Sequence, residues 1–220
     1  MPEHKQPLSL VVLISGRGSN LKAILDAIRR GELSAVVSAV VSDQTRAPGL
    51  EYAHQENIDT LALDAADYPD RGDYDLALQG LIDRFEPGLV VLAGFMRILT
   101  PGFVHHYQGR LINIHPSLLP ELRGLNTHQR AIDKGIREHG ASIHFVTEEL
   151  DGGPVIVQVR VPVLPDDDAD RLAARVLKQE HRLYAQAIRW LAEGRVSLDG
   201  EQLLFDQKPL RQPLQIDADE

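Results

Sequence analysis

Apolar residues in the first half of this chain come in short continuous runs, and polar, helically spaced stretches separate them. Leu8 to Ile14 is such a run, closed by Ser15-Gly16. From Ser19-Asn20 to Arg30-Gly31, Leu21, Ile24, Leu25 and Ile28 recur at the spacing of one helix face. Ala35 to Val41 reads as a second strand and Gly49 to Asn57 as a helix. Leu61 to Leu63 is a short strand, Tyr74 to Phe85 a helix, and Leu89 to Ala93 a buried strand. Strands that are apolar on both faces and alternate with helices predict an α/β fold. Its sheet is mostly parallel and twisted, with helices on both faces.

The second half has a different rhythm. Leu111 to His115 predicts a strand and Thr127 to Lys134 a helix. Ser142 to Val146 and Val155 to Val163 read as two strands joined through Gly152-Gly153-Pro154, an antiparallel element at the sheet's edge. A long helix opens at Pro165-Asp166 and runs to about Glu193, with Leu172, Val176, Leu183, Ala187 and Leu191 in one stripe. Beyond Gly194 stand a short apolar piece, Leu203 to Phe205, and a polar tail. Without repeats or a linker, the expectation is a single domain over residues 1–195 with a partly flexible extension over 196–220.

Composition narrows the function. The net charge of −9, from 32 acidic against 23 basic residues, comes with no Lys/Arg cluster, so nucleic acid is not an expected partner. The absence of cysteine removes disulfides, thiolate metal sites and Cys nucleophiles. The polar start, residues 1–7, and the shortness of the apolar run after it predict neither a signal peptide nor a membrane span. A soluble, cytoplasmic protein is expected.

Three segments carry candidate chemistry. Ser15-Gly-Arg-Gly-Ser-Asn20 joins the first strand to the first helix, at the strand's carboxyl end where α/β sheets bind ligands. Its glycines and free helix-start N–H groups favour a phosphate monoester, although a plain turn with Ser19 as N-cap also fits. Leu21 stands where a dinucleotide fingerprint has its third glycine, and no Walker Gly-Lys-Ser/Thr follows. In the second segment, strand alternation places Asn113 and His115 on one face just before Pro116. Two polar groups at a sheet's rim are costly unless used or paired. Asn donates to a developing oxyanion, and His holds or passes a proton. The third segment is Glu148-Glu-Leu-Asp151-Gly-Gly-Pro154, a turn whose carboxylate would orient His115 and favour its charged form. Gly94 to Leu99 carries large apolar groups out of a buried strand. Glu180 falls on or beside the inward helix stripe, where an edge salt bridge is the plainer reading. Asp166 to Asp168 complements a helix N-terminus. Among nine histidines none forms a His-x-x-x-His pair backed by a carboxylate. No metal is therefore expected, although His115, His144 and Asp151 are residues that could converge on one.

Taken in order, Ser15-Gly-Arg-Gly-Ser-Asn20, Ala93-Gly-Phe-Met-Arg97, Asn113-Ile-His-Pro-Ser-Leu-Leu-Pro120 and Leu150-Asp-Gly-Gly-Pro154 resemble the folate-dependent formyltransferase family. The likeness spans roughly Leu8 to Arg195 and implies a Rossmann-like fold. It implies transfer of the formyl group of 10-formyltetrahydrofolate, as co-substrate, to the amine of glycinamide ribonucleotide in purine synthesis. Asn113, His115 and Asp151 would be catalytic. Gly18, Ser19 and Asn20 would hold the ribonucleotide phosphate and Glu180 its ribose. Arg71, Met96, Arg97, Ile98 and Leu99, with Thr147, Glu148, Glu149 and Leu150, would bind the folate. A monomer or weak homodimer is expected. The chain departs from the family at Glu121-Leu-Arg-Gly124-Leu-Asn126, where an aromatic-Pro pair is usual, and at Leu177, where a polar residue is. Formyltetrahydrofolate hydrolase, another formyltransferase such as the methionyl-tRNA enzyme, and a non-catalytic phosphosugar-binding α/β domain remain alternatives. The tRNA enzyme would need an RNA-binding domain after the last helix, and the hydrolase an additional domain before the first strand.

Overall fold

A computed structural model describes residues 6–218 of the chain. They fall into two compact units, one ending at Leu111 and the other beginning at Ile112. The first unit alternates β1 (Leu8–Ile14), α1 (Ser19–Arg29), β2 (Ala35–Ser42), α2 (Leu50–Gln55), β3 (Asp59–Ala62), α3 (Arg71–Asp83), β4 (Leu89–Leu92) and α4 (Pro101–His106). Its strands lie in the order β4-β1-β2-β3, all parallel. Leu10 to Ile14 have no exposed surface and Leu89 to Leu92 are buried throughout, as strands covered on both faces must be.

The second unit carries β5 (Leu111–His115), α5 (Thr127–Asp133), β6 (Glu138–Phe145), β7 (Val155–Pro162) and α6 (Ala169–Ala192). Four short strands follow: β8 (Val196–Asp199), β9 (Gln202–Phe205), β10 (Lys208–Pro209) and β11 (Leu214–Ile216). β6 pairs antiparallel with both β5 and β7, whereas β11 adds to β7 in parallel. α6 lies against β6 and β7 through Leu172, Val176, Leu183, Ala187 and Ile188, all fully buried. The fold is thus α/β and Rossmann-like, with a mostly parallel sheet and an antiparallel element, and a separate antiparallel sheet of β8, β9 and β10.

Several boundaries differ from the sequence expectation for local reasons. α6 opens at Ala169 and not at Pro165, because the Asp168 carboxylate accepts the Arg171 N–H and caps the helix there. Asp70 does the same for α3, accepting the Asp73 N–H at 3.0 Å and starting the helix at Arg71. α4 was not anticipated from the apolar pattern; its sequence signal is Pro101 at a first-turn position. Residues 196–218, expected as part of an extension, form β8 to β11, of which β11 belongs to the larger sheet. Residues 1–5 of the polar start and 219–220 of the tail lie outside the described residues. Among those described, no helix is long and apolar enough to cross a membrane.

Candidate active site

β5 brings Asn113 and His115 to one face, and its antiparallel register sets Asn113 opposite His144 and His115 opposite Ser142. Asp151 arrives from the turn between β6 and β7. That turn is tight: a Cβ at Gly153 would sit 1.9 Å from the Phe145 carbonyl oxygen, so only glycine fits. Asp151 itself adopts φ 50°. Its Oδ2 lies 3.4 Å from His115 Nδ1 and accepts the Gly124 N–H at 2.9 Å. Both side chains are more than nine-tenths buried. The other ring nitrogen, Nε2, stands 3.0 Å from the Leu122 carbonyl, which can only accept, so Nε2 carries a proton. Leu122, Gly124 and Asn126 all have positive φ, and these bends turn the 121–126 loop back over His115 and Asp151.

His144 completes the cluster, in a role other than the metal ligation its residue type allows. It is 2% exposed, and burial holds its pKa below the ordinary histidine range, so it is neutral. Its Nδ1 donates to the Phe145 carbonyl at 2.9 Å, which leaves Nε2 as an acceptor for the Asn113 amide N–H at 3.2 Å. That bond orients the Asn113 amide and leaves its second N–H for another acceptor. The signal available in sequence was alternation: His144 and Ser142 share a face of β6, as Asn113 and His115 share one of β5. His144→Leu should cost about tenfold in turnover, the worth of one neutral hydrogen bond. Steady-state kinetics with an unchanged melting temperature would check this, and a variant within about twofold of the parent would exclude the role.

Behind the cluster, buried side chains pin the chain that follows His115. Ser142 Oγ donates to the Ser117 carbonyl at 2.6 Å and accepts from Leu119 N–H at 3.0 Å. Gln158 Nε2 donates to the Leu119 carbonyl at 2.8 Å and to Ser142 Oγ at 2.9 Å. Gln215 of β11 donates to Gln158 Oε1 at 3.2 Å, and Thr127 Oγ1 donates to the Pro116 carbonyl at 2.6 Å.

Two further histidines stand nearby. His139, 1% exposed, has its Nε2 3.2 Å from His128 Nδ1, the rings meeting edge to face at 5.1 Å. Burial, then His128, then His115 push His139 down to about 4; burial foremost lowers His128 too. The unfolded chain therefore binds a proton here more readily than the folded one. Stability is fully present above pH 6.5, the ordinary value, and is lost as pH falls toward about 4. Allowing for solvent screening at the rings, the loss is on the order of 2 kcal/mol. Urea unfolding at pH 7.5 and 4.5 should show it, and His139→Gln should flatten it. A His139→Gln chain as acid-sensitive as the parent would contradict the assignment.

In the first unit, the turn after β1 is built from backbone. Gly18 has φ 69° and a Cβ there would lie 2.7 Å from Gly49 Cα, while Gly49 N–H donates to the Gly16 carbonyl at 3.0 Å. Gly18, and not Ser19, is the N-cap of α1, and as a glycine it supplies no side-chain cap. Helix-start N–H groups favour an anion. Arg71 is exposed at the start of α3. Met96 and Ile98 are 71% and 59% exposed, with Arg97 and Leu99 less so.

In the second unit, Thr147 to Leu150 form an exposed segment before Asp151, and Glu149 pairs with Arg123. Arg123 lies in the segment where an aromatic-Pro pair is the sequence expectation, and it forms this ion pair between the two loops. Glu180 is 8% exposed within the inward face of α6, and burial first, then the Glu180 charge, oppose ionisation of Tyr184. Asp168 caps α6 as its position implied. The structure thus brings Asn113, His115 and Asp151 together.

Residues 8–188 match the formyl transferase family. The chain belongs to that family. It is 52% identical over 203 residues to phosphoribosylglycinamide formyltransferase of Escherichia coli, covering 89% of this chain and 96% of that protein. Among solved structures, phosphoribosylglycinamide formyltransferase of Coxiella burnetii superposes with a TM-score of 0.91 at 47% identity, covering 95% of this chain and 99% of that one. A formyltetrahydrofolate deformylase of Pseudomonas syringae superposes with a TM-score of 0.84 at 27% identity, and the match spans 91% of this chain but 66% of that one. Within the family, likeness in sequence and in length both run toward the enzymes named for the ribonucleotide.

Proposed function

We propose that this enzyme transfers the formyl group of 10-formyltetrahydrofolate directly to the glycyl amine of glycinamide ribonucleotide, with Asn113, His115 and Asp151 as its catalytic residues. The observation that carries this reading is the buried contact of His115 Nδ1 with the Asp151 carboxylate, beside an Asn113 amide oriented by His144. The amine attacks the formyl carbon, a C–N bond forms, and charge gathers on the formyl oxygen. Asn113 Nδ2–H donates to that oxygen, and His115 adds a second donor when its Nε2–H exchanges the Leu122 carbonyl for it, which is the polarisation a metal would otherwise supply. Asp151 holds the His115 ring in place and, through water, takes the proton that leaves the amine. The bond to folate N10 then breaks, and N10 takes up the proton that Asp151 accepted, returned through the same water, so that the carboxylate is restored. No covalent enzyme intermediate is needed, in keeping with a chain that has no cysteine.

The phosphate is assigned to the amides and side chains of Gly18, Ser19 and Asn20 at the start of α1, and the ribose hydroxyls to Glu180. Arg71, Met96 to Leu99 and Thr147 to Leu150 are assigned to the folate. A single domain over residues 1–195 carries these groups in a cytoplasmic monomer or weak homodimer. The test is to mix the protein with both substrates, without added metal, and follow tetrahydrofolate by absorbance. Release that requires the ribonucleotide supports the proposal. Release without it would assign hydrolysis instead, and folate binding without release would leave a binding domain or another formyl acceptor.

A further inference from the structure

The strip that leaves β4 is held at three points within the first unit. At its start, Ser15 N–H donates to the Gly94 carbonyl at 3.1 Å and Ser15 Oγ accepts the Met96 N–H at 2.8 Å. In the middle, the Arg97 guanidinium carbon stands 4.3 Å from the centre of the Tyr74 ring. At its end, Asp75 Oδ2 accepts the Thr100 N–H at 2.5 Å. Tyr74 and Asp75 are consecutive on α3 and are 0% and 2% exposed, and Tyr68 supports the Tyr74 ring edge-on at 5.5 Å. Between these anchors Met96 and Ile98 turn outward. The strip therefore alternates: two apolar side chains are offered to a ligand, and the cation between them is turned back onto α3.

We propose that Tyr74, Asp75 and Arg97 are positioning residues that set the affinity for the formyl donor by holding residues 94–100 in the binding conformation, without touching the donor themselves. This rests on the reading that Met96 to Leu99 grip the folate, and it changes the role of Arg97 within that reading from ligand contact to tether. A free strip would lose conformational entropy when the donor binds; a strip already fixed does not. A cation over a buried aromatic face is a strong enough contact to matter, because the ring is desolvated on its other sides.

The experiment is steady-state kinetics on the full chain with Arg97→Met, Arg97→Lys and Ile98→Ser, with melting temperatures measured alongside. Arg97→Met should raise the KM for the formyl donor about tenfold, with kcat within about threefold and the KM for the ribonucleotide unchanged. Arg97→Lys, which keeps a cation over the ring, should recover most of the loss. The effect should persist with a formyl donor that lacks the glutamate carboxylates. An Arg97→Met effect that vanishes with that truncated donor would make the guanidinium a ligand contact and overturn the tether. An unchanged donor KM in Arg97→Met, with Ile98→Ser impaired, would overturn the tether alone. Insensitivity of both would overturn the folate assignment of the strip as well. Because Asp75 and Tyr74 are buried, Asp75→Asn and Tyr74→Phe are the variants of choice there; each keeps the anchor and should stay closer to the parent than Asp75→Ala and Tyr74→Leu, which remove it.

Discussion

His115→Ala should lower kcat about a thousand-fold, while the KM of either substrate changes only a few-fold. The size follows from two roles lost together. The His115 Nε2–H turns from the Leu122 carbonyl to the formyl oxygen as charge develops, and the same ring is the partner against which Asp151 is held, 3.4 Å away and buried. Without the ring, the Asp151 carboxylate keeps the Gly124 N–H but loses its ring partner in a poorly solvated place. Both losses fall on the transition state, so kcat should carry them. A kcat within about tenfold of the parent, in a folded variant, would remove His115 from the chemistry.

Asn113→Ala should cost about a hundred- to a thousand-fold in turnover, the range for losing one pre-set oxyanion donor. Its amide is on the rim of β5 and oriented by neutral His144, so the donor costs no reorganisation when the formyl oxygen becomes charged. A loss under about fivefold would sink the role. The double variant Asn113→Ala/His144→Leu adds a sharper reading. If His144 acts only by orienting Asn113, the double variant should be no slower than Asn113→Ala alone; additive losses would give His144 an independent function.

These expectations show how unevenly the site was legible. Asn113 and His115 were readable because a strand's two-residue period forces them onto one face and Pro116 ends the strand there. Asp151 was readable as a carboxylate in a glycine turn, yet its meeting with His115 required the β6–β7 turn to fold tightly against Phe145. His144, thirty-one residues from Asn113, was visible only as a possible metal ligand, because its partner is set by the β5–β6 register. The same holds for Ser142, Gln158 and Gln215, whose hydrogen bonds cross three strands to the segment after His115. Arg97 was legible as part of a motif but not as a tether, since nothing local reveals Tyr74 beneath it.

The fold divides in the same way. By itself the amino-acid sequence determined the α/β class, the parallel strands of the first unit, the antiparallel pair β6 and β7, and the long α6. Hydrophobic period and run length report which faces are buried, and burial is a local demand on each segment. Only the tertiary structure decided that β11 joins β7, that Gly18 and not Ser19 caps the start of α1, that Glu180 is buried, and that His128 meets His139. Each of these depends on a partner far away in sequence. Such pairings are selected by register, close backbone approach and the need to satisfy buried polar groups once the chain is compact, and these requirements leave no periodic trace along it.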